Sequence, residues 1–185
     1  MNFETIDSPA LLVYPALVSN NIAEMIKMAG SVKRLRPHIK THKCQEVTAL
    51  MLAKGITKFK CATIAEAEML AMCQAPDVLL AYQPVATKLQ RFITLIQTYT
   101  TTQFSCLVDD LSVGQAIATA ATQHKITIDV YIDLNVGMNR TGILPQKAED
   151  LINALLELKG ISVKGLHAYD GHIRDQDLAL RTENC

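Results

Sequence analysis

The 185-residue sequence carries no excess of either charge, with 18 lysines and arginines against 18 aspartates and glutamates. A zero balance offers no basic face at the level of composition and argues against nucleic acid as the main partner. No uninterrupted apolar stretch reaches the roughly 18 residues that a spanning helix needs, so no membrane partner is expected. Met1-Asn2-Phe3-Glu4-Thr5 lacks the basic start and apolar run of a secretory signal. Glycine-rich phosphate loops of the G-x-G-x-x-G or Walker type are also absent. The five cysteines, Cys44, Cys61, Cys73, Cys106 and Cys185, are odd in number and scattered, without a C-x-x-C pair or zinc-ligand spacing. They read as reduced thiols, and a cytoplasmic location is expected.

With 49% hydrophobic residues the chain is rich enough, and long enough, to bury a substantial core. No Pro- or Gly-rich linker interrupts it, so one domain over residues 1–185 is expected. Strand-like and helix-like segments alternate along nearly the whole length, the pattern of βα units around a parallel sheet. The expected helices are Ala16 to Ala29, Cys44 to Ala53, Ala65 to Gln74, Ala86 to Thr98, Ser112 to His124 and Gln146 to Leu158. The expected strands are Val32 to Lys40, Lys58 to Thr63, Val78 to Tyr82, Gln103 to Asp109, Thr127 to Leu134 and Ser162 to Tyr169. Asp170 to Cys185 reads as a loop or the start of a helix. The fold class is therefore α/β, a TIM-type (β/α)8 barrel with about six of its eight units.

Three segments carry candidate chemistry, all at carboxyl ends of expected strands, where α/β proteins place their sites. In Arg36-Pro37-His38-Ile39-Lys40-Thr41-His42-Lys43, alternation along a strand puts Leu35, Pro37 and Ile39 on one face and Arg36, His38 and Lys40 on the other. The cationic face should point inward with Lys40 nearest the mouth, which favours Lys40 over Lys43 as a reactive amine. Desolvation beside other cations such as Arg36 would lower the pKa of such an amine and let it form a Schiff base. Both lysines equally fit solvated positions at a helix start.

In Gly137-Met138-Asn139-Arg140-Thr141-Gly142 two glycines bracket an arginine in a loop at the same mouth. A guanidinium there can fix a phenolate or carboxylate, although an exposed turn would look the same. In Gly165-Leu166-His167-Ala168-Tyr169-Asp170-Gly171-His172, His167 and Tyr169 should face inward, Leu166 and Ala168 should face helices, and His172 should follow in the loop. A phenol and an imidazole can serve as acid or base, and can equally be structural. Thr63 and Glu66 read as a helix cap, and Gln83 as a polar strand end within reach of a ligand.

Taken together, the order and spacing of these three segments resemble the fold-type III enzymes that use pyridoxal phosphate, the alanine racemase N-terminal domain superfamily. The D-threonine aldolase and D-serine dehydratase group is nearest by motif. The resemblance implies pyridoxal 5′-phosphate bound as an aldimine at Lys40, Arg140 near the phenolic oxygen of the cofactor, and Tyr169 with His172 around cofactor or substrate. It implies a lyase acting on a small D-3-hydroxy amino acid, with an amino-acid racemase or a non-catalytic pyridoxal-phosphate carrier as alternatives. It further implies a homodimer and a divalent metal whose ligands lie in a carboxyl-terminal β-domain. That β-domain and the last two barrel strands are not in these 185 residues, so weak cofactor binding by this chain alone is expected.

Overall fold

The computed structural model describes residues 3–184. Five strands form one parallel sheet in the sequential order β1-β2-β3-β4-β5: β1 Lys58–Cys61, β2 Asp77–Leu80, β3 Gln103–Val108, β4 Ile128–Leu134 and β5 Ile161–Ala168. Seven helices accompany them: α1 Pro15–Ala29, α2 Gln45–Ala53, α3 Ile64–Met72, α4 Thr87–Thr98, α5 Leu111–Gln123, α6 Pro145–Leu156 and α7 Leu178–Glu183. Each consecutive pair of strands is joined through a helix. Crossovers of one hand in a sequentially ordered sheet put every helix on the same face. Cys185 lies outside the described residues.

Local sequence accounts for these elements. Pro15 opens α1, where a missing N–H costs nothing, and Gly30 closes it in the left-handed conformation at φ 73°. Thr63 caps α3 by accepting from the Glu66 amide at 3.1 Å, while the Glu66 carboxylate accepts from Ala62 N at 2.7 Å. This reciprocal arrangement is a capping box. Along the strands one parity is sealed under the helices: Phe59, Val78, Cys106, Val130 and Ile132 are wholly buried. The other parity points inward, away from the helices, and is mostly polar, with Leu79 and Leu107 buried among its polar members.

Two expectations about strands do not hold. Val32 to Lys40 is no strand. Ser31 accepts from the Lys33 amide and starts a 3-10 turn at Val32–Arg34, and a second such turn covers Ile39–Thr41. Between them Pro37 has no N–H to give a ladder, so contact with β1 shrinks to Lys60 N donating to Pro37 O at 2.9 Å and one parallel bridge, His38 to Lys60. Leu166, expected under a helix, is 58% exposed. β5 is the outer strand of the described sheet, so the groove beside it has a neighbour on one side alone.

The sheet is strongly curved. Five strands about 4.8 Å apart would hold the outermost two roughly 19 Å apart if flat. Yet the side chains of Lys60 on β1 and His167 on β5 meet at 2.7 Å across the inner face. β4 and β5 also slip by one residue between Val130 and Tyr131, a bulge that increases local twist. Among the described residues no helix is long and apolar enough to cross a membrane.

Candidate active site

The carboxyl ends of the strands surround an open cleft of about 330 Å³. Its wall includes His38, Lys40, Lys60, Asp133, Arg140, His167 and Tyr169, with Gln83 at the end of β2. Lys40 rides on the 3-10 turn after the bridge residue His38. Its backbone amide donates to His38 Nδ1 at 3.2 Å, which fixes the remaining His38 proton on Nε2. Burial, then the Lys40 and Lys60 charges, push the His38 imidazole down to about 4, so it is a neutral ring at physiological pH.

The Tyr169 ring is the meeting point of the cations. The Lys40 ammonium stands 5.8 Å from its centroid, the Lys60 ammonium 5.7 Å and the Arg140 guanidinium 5.4 Å. Aromatic faces attract cations at such distances. Arg140 is carried by the loop between β4 and α6. That loop is tied down where Gly142 N donates to the Asp109 carboxylate at 2.8 Å. Gly142 has φ 101°, and a Cβ there would lie 2.6 Å from Asn135 N, so only glycine fits. His172 is exposed and lies outside the wall of the cleft. It stands against Gly137, where an added Cβ would come within 2.7 Å of its Nε2.

At the centre of the inner face, Asp133 is 3% exposed and accepts from His167 Nδ1 at 2.6 Å and from Gln83 Nε2 at 3.4 Å. Burial pushes the Asp133 carboxyl up, but hydrogen bonds from His167, Thr141 and Gln83 outweigh it and hold the pKa below the usual value. His167 in turn offers Nε2 to Lys60 Nζ at 2.7 Å. Burial, followed by the Lys40 charge, lowers the Lys60 amine below its ordinary range.

The structure brings Lys40, Arg140 and Tyr169 together in one cleft and places His172 at its flank. Lys43 turns away to an ion pair with Glu66 at 3.4 Å. Arg36, expected beside Lys40, instead forms a two-pronged pair with Asp77 at 2.6 and 2.8 Å. Asp77 opens β2, so this pair sits at the amino end of the strands, and the cations actually near Lys40 over Tyr169 are Lys60 and Arg140. Lys60, Asp133 and the neutral state of His38 were not singled out from the sequence. A signal existed: in Lys58-Phe59-Lys60-Cys61 the alternation that buries Phe59 and Cys61 turns Lys60 inward, and the same rule turns Asp129, Tyr131 and Asp133 inward on β4. Among the described residues no group of three or more His, Cys, Asp or Glu is disposed to hold a metal ion.

Comparisons with known proteins agree with this architecture. The chain is 28% identical over 178 residues to a D-threonine aldolase of an Arthrobacter species, covering 91% of this chain and 45% of that one. It is 29% identical over 140 residues to a D-threo-3-hydroxyaspartate dehydratase of a Delftia species, covering 75% and 36% respectively. The crystal structure of D-threonine aldolase from Filomicrobium marinum superposes with a TM-score of 0.88 at 30% identity, over 97% of this chain and 49% of that one. The chain thus spans about half the length, or less, of these three relatives. Residues 15–184 match the family described as alanine racemase, N-terminal domain. By that match, which takes in nearly the whole chain and every segment of the cleft, this protein belongs to the alanine racemase N-terminal domain family of fold-type III pyridoxal-phosphate proteins.

Proposed function

We propose that this chain forms the cofactor-binding half of a pyridoxal-phosphate lyase that acts on D-3-hydroxy amino acids. The observation that carries the reading is the convergence of Lys40 and Arg140 on the face of Tyr169 within one cleft. The donor set suits the cofactor. A primary amine is what an aromatic aldehyde requires, and the cations around it suit a phenolate and a phosphate, since Asp133 is already engaged by His167 and Gln83. When bound, the cofactor supplies an electron sink for the bonds at the Cα of an amino acid.

The residues of the chain have separate tasks in this reading. Lys40 holds the cofactor and accepts or returns the Cα proton. Arg140 fixes an anionic oxygen with a charge that cannot be lost. Tyr169 would offer its ring face to the cofactor. His172, packed on Gly137 at the flank of the cleft, steadies the Arg140 loop and stands beside the space for cofactor and substrate. The relatives named for D-threonine and D-threo-3-hydroxyaspartate support a 3-hydroxy amino acid as the substrate class.

The test is borohydride fixation of the protein with pyridoxal phosphate, read by peptide mass spectrometry. A pyridoxyl group on Lys40 is expected, with complete loss in Lys40→Ala at unchanged thermal stability. A label that persists elsewhere in Lys40→Ala would sink the assignment. Incubation with D-threonine and D-serine, with and without a divalent metal, then separates the reactions: glycine or pyruvate marks a lyase, and the L-isomer marks a racemase.

A further inference from the structure

Asp133, His167 and Lys60 form a continuous hydrogen-bonded line along the wall of the cleft. Asp133 accepts from His167 Nδ1, so that nitrogen carries its proton and Nε2 presents a lone pair to Lys60 Nζ. The second oxygen of Asp133 accepts from Gln83. The carboxylate is therefore fully engaged and buried, and its charge stays in place. A single proton occupies the 2.7 Å gap between Lys60 and His167, and the line is neutral overall whichever of the two holds it. We propose that Lys60 is the acid–base residue of this cleft and exchanges a proton with the 3-hydroxyl of the bound substrate, the Asp133–His167 pair setting its protonation state.

Burial and the neighbouring cations ease the loss of the Lys60 proton. Lys40 faces Lys60 from the 3-10 turn and Arg140 from the loop after β4, with Arg36 further off, whereas the Asp133 carboxylate acts in the opposite direction. His38, its bridge partner, is uncharged, while the Tyr169 ring face, like Asp133, works the other way and steadies the ammonium form. Burial and the Lys40 charge pull the amine below an ordinary lysine, toward the range where an amine can act as a base.

The step balances. For cleavage, the neutral amine takes the hydroxyl proton, the C–O bond becomes a carbonyl, and the pair of the Cα–Cβ bond stays on Cα, which Lys40 later protonates. For elimination, Lys40 takes the Cα proton, the pair of the Cα–H bond forms a Cα–Cβ double bond, the Cβ–O bond breaks, and the ammonium form of Lys60 gives its proton to the departing oxygen, which leaves as water. The substrate class rests on the function proposed above, whereas the relay between Lys60 and His167 does not.

The first test uses the ligand-free protein. Competitive acetylation with acetic anhydride across a pH series, read peptide by peptide, should give Lys60 a midpoint below that of Lys27, whose side chain is 78% exposed. The ring resonances of His167 should move at the Lys60 midpoint and cease to do so in Lys60→Met. A Lys60 midpoint equal to that of Lys27, or a His167 ring unmoved at it, would overturn the relay. Neither measurement on the unaltered protein depends on a variant folding.

The second test uses the protein reconstituted with pyridoxal phosphate. Lys60→Met should keep the fixed pyridoxyl group on Lys40 and lose about 100-fold or more in kcat. Lys60→Arg should not restore it, because a guanidinium keeps its proton. Full turnover in Lys60→Met overturns the proposal. Absence of any label on Lys40 in the unaltered protein overturns the cofactor assignment instead, with the titration still deciding the relay.

Discussion

The two faces of the sheet are made by the same strands, one residue apart. Outward, β1 to β4 present Phe59, Val78, Phe104 and Val130, none more than 5% exposed and all packed into the apolar layer under the helices. Inward, the same strands present Lys60, Asp77, Gln103 and Asp129, bound to one another and to neighbouring segments by hydrogen bonds and ion pairs. The outer face is interchangeable apolar volume that stabilises by removal from water. The inner face obeys a stricter rule, since each buried polar group needs its partner. It is also graded along the strand: Arg36–Asp77 and Gln103–Asp129 close the amino end, and the carboxyl end leaves amines facing a cleft.

The outer face should show the largest effect on stability. Phe59 on β1 is fully buried in that layer. Phe59→Ala is expected to lower unfolding free energy by about 3–5 kcal/mol in a denaturant titration. A loss near about 1 kcal/mol would mean that the layer collapses around the gap, and that its packing is less determined than the burial implies.

The closed end of the inner face comes next. Asp77→Ala leaves the Arg36 guanidinium with Phe59 O at 3.3 Å as its remaining partner on β1. For a half-buried, two-pronged pair the expected loss is about 2 kcal/mol in the same titration. A change below about 0.5 kcal/mol would show that water replaces the carboxylate freely, and would remove the distinction between the closed and open ends.

The same contrast explains what could be read from the sequence. Helices α1 to α6 and strands β1 to β5 follow from apolar periodicity, which reports the outer face, and their bounds lie within two residues of those expected. The α3 cap was legible because Thr63 and Glu66 act within one turn. The segment from Val32 to Lys40 was not, because its alternation of apolar and cationic residues fits a strand, while Ser31 and Pro37 favour turns and deny the ladder its donor. Arg36 was placed on the correct face but at the wrong end, since its partner Asp77 is 41 residues away. Lys60 escaped notice for a related reason. A lysine in a four-residue strand looks solvated until β5 curls round to bring His167 to it, 107 residues further on.

The smallest effect is electrostatic and belongs to the open end. His38 has an ordinary imidazole value in the unfolded chain and one of about 4 in the fold, from burial first and from Lys40 and Lys60 next. A depressed folded value means that the unfolded chain gains a proton between pH 6.5 and about 4 that the native state refuses, so stability is full above 6.5 and falls through that window. For a half-exposed ring the loss is on the order of 1 kcal/mol after solvent screening. Asp133 does not share the window: its folded pKa is held below the usual carboxylate value, so its contribution is present above about pH 4 and lost only below. His42, lowered chiefly by burial, adds in the same direction as His38. Thermal midpoints should therefore fall between pH 6.5 and 4 in the native sequence and fall less in His38→Gln. An identical slope in that variant would show that the ring gains its proton without strain, and that Lys40 and Lys60 are further from His38 in charge than in space.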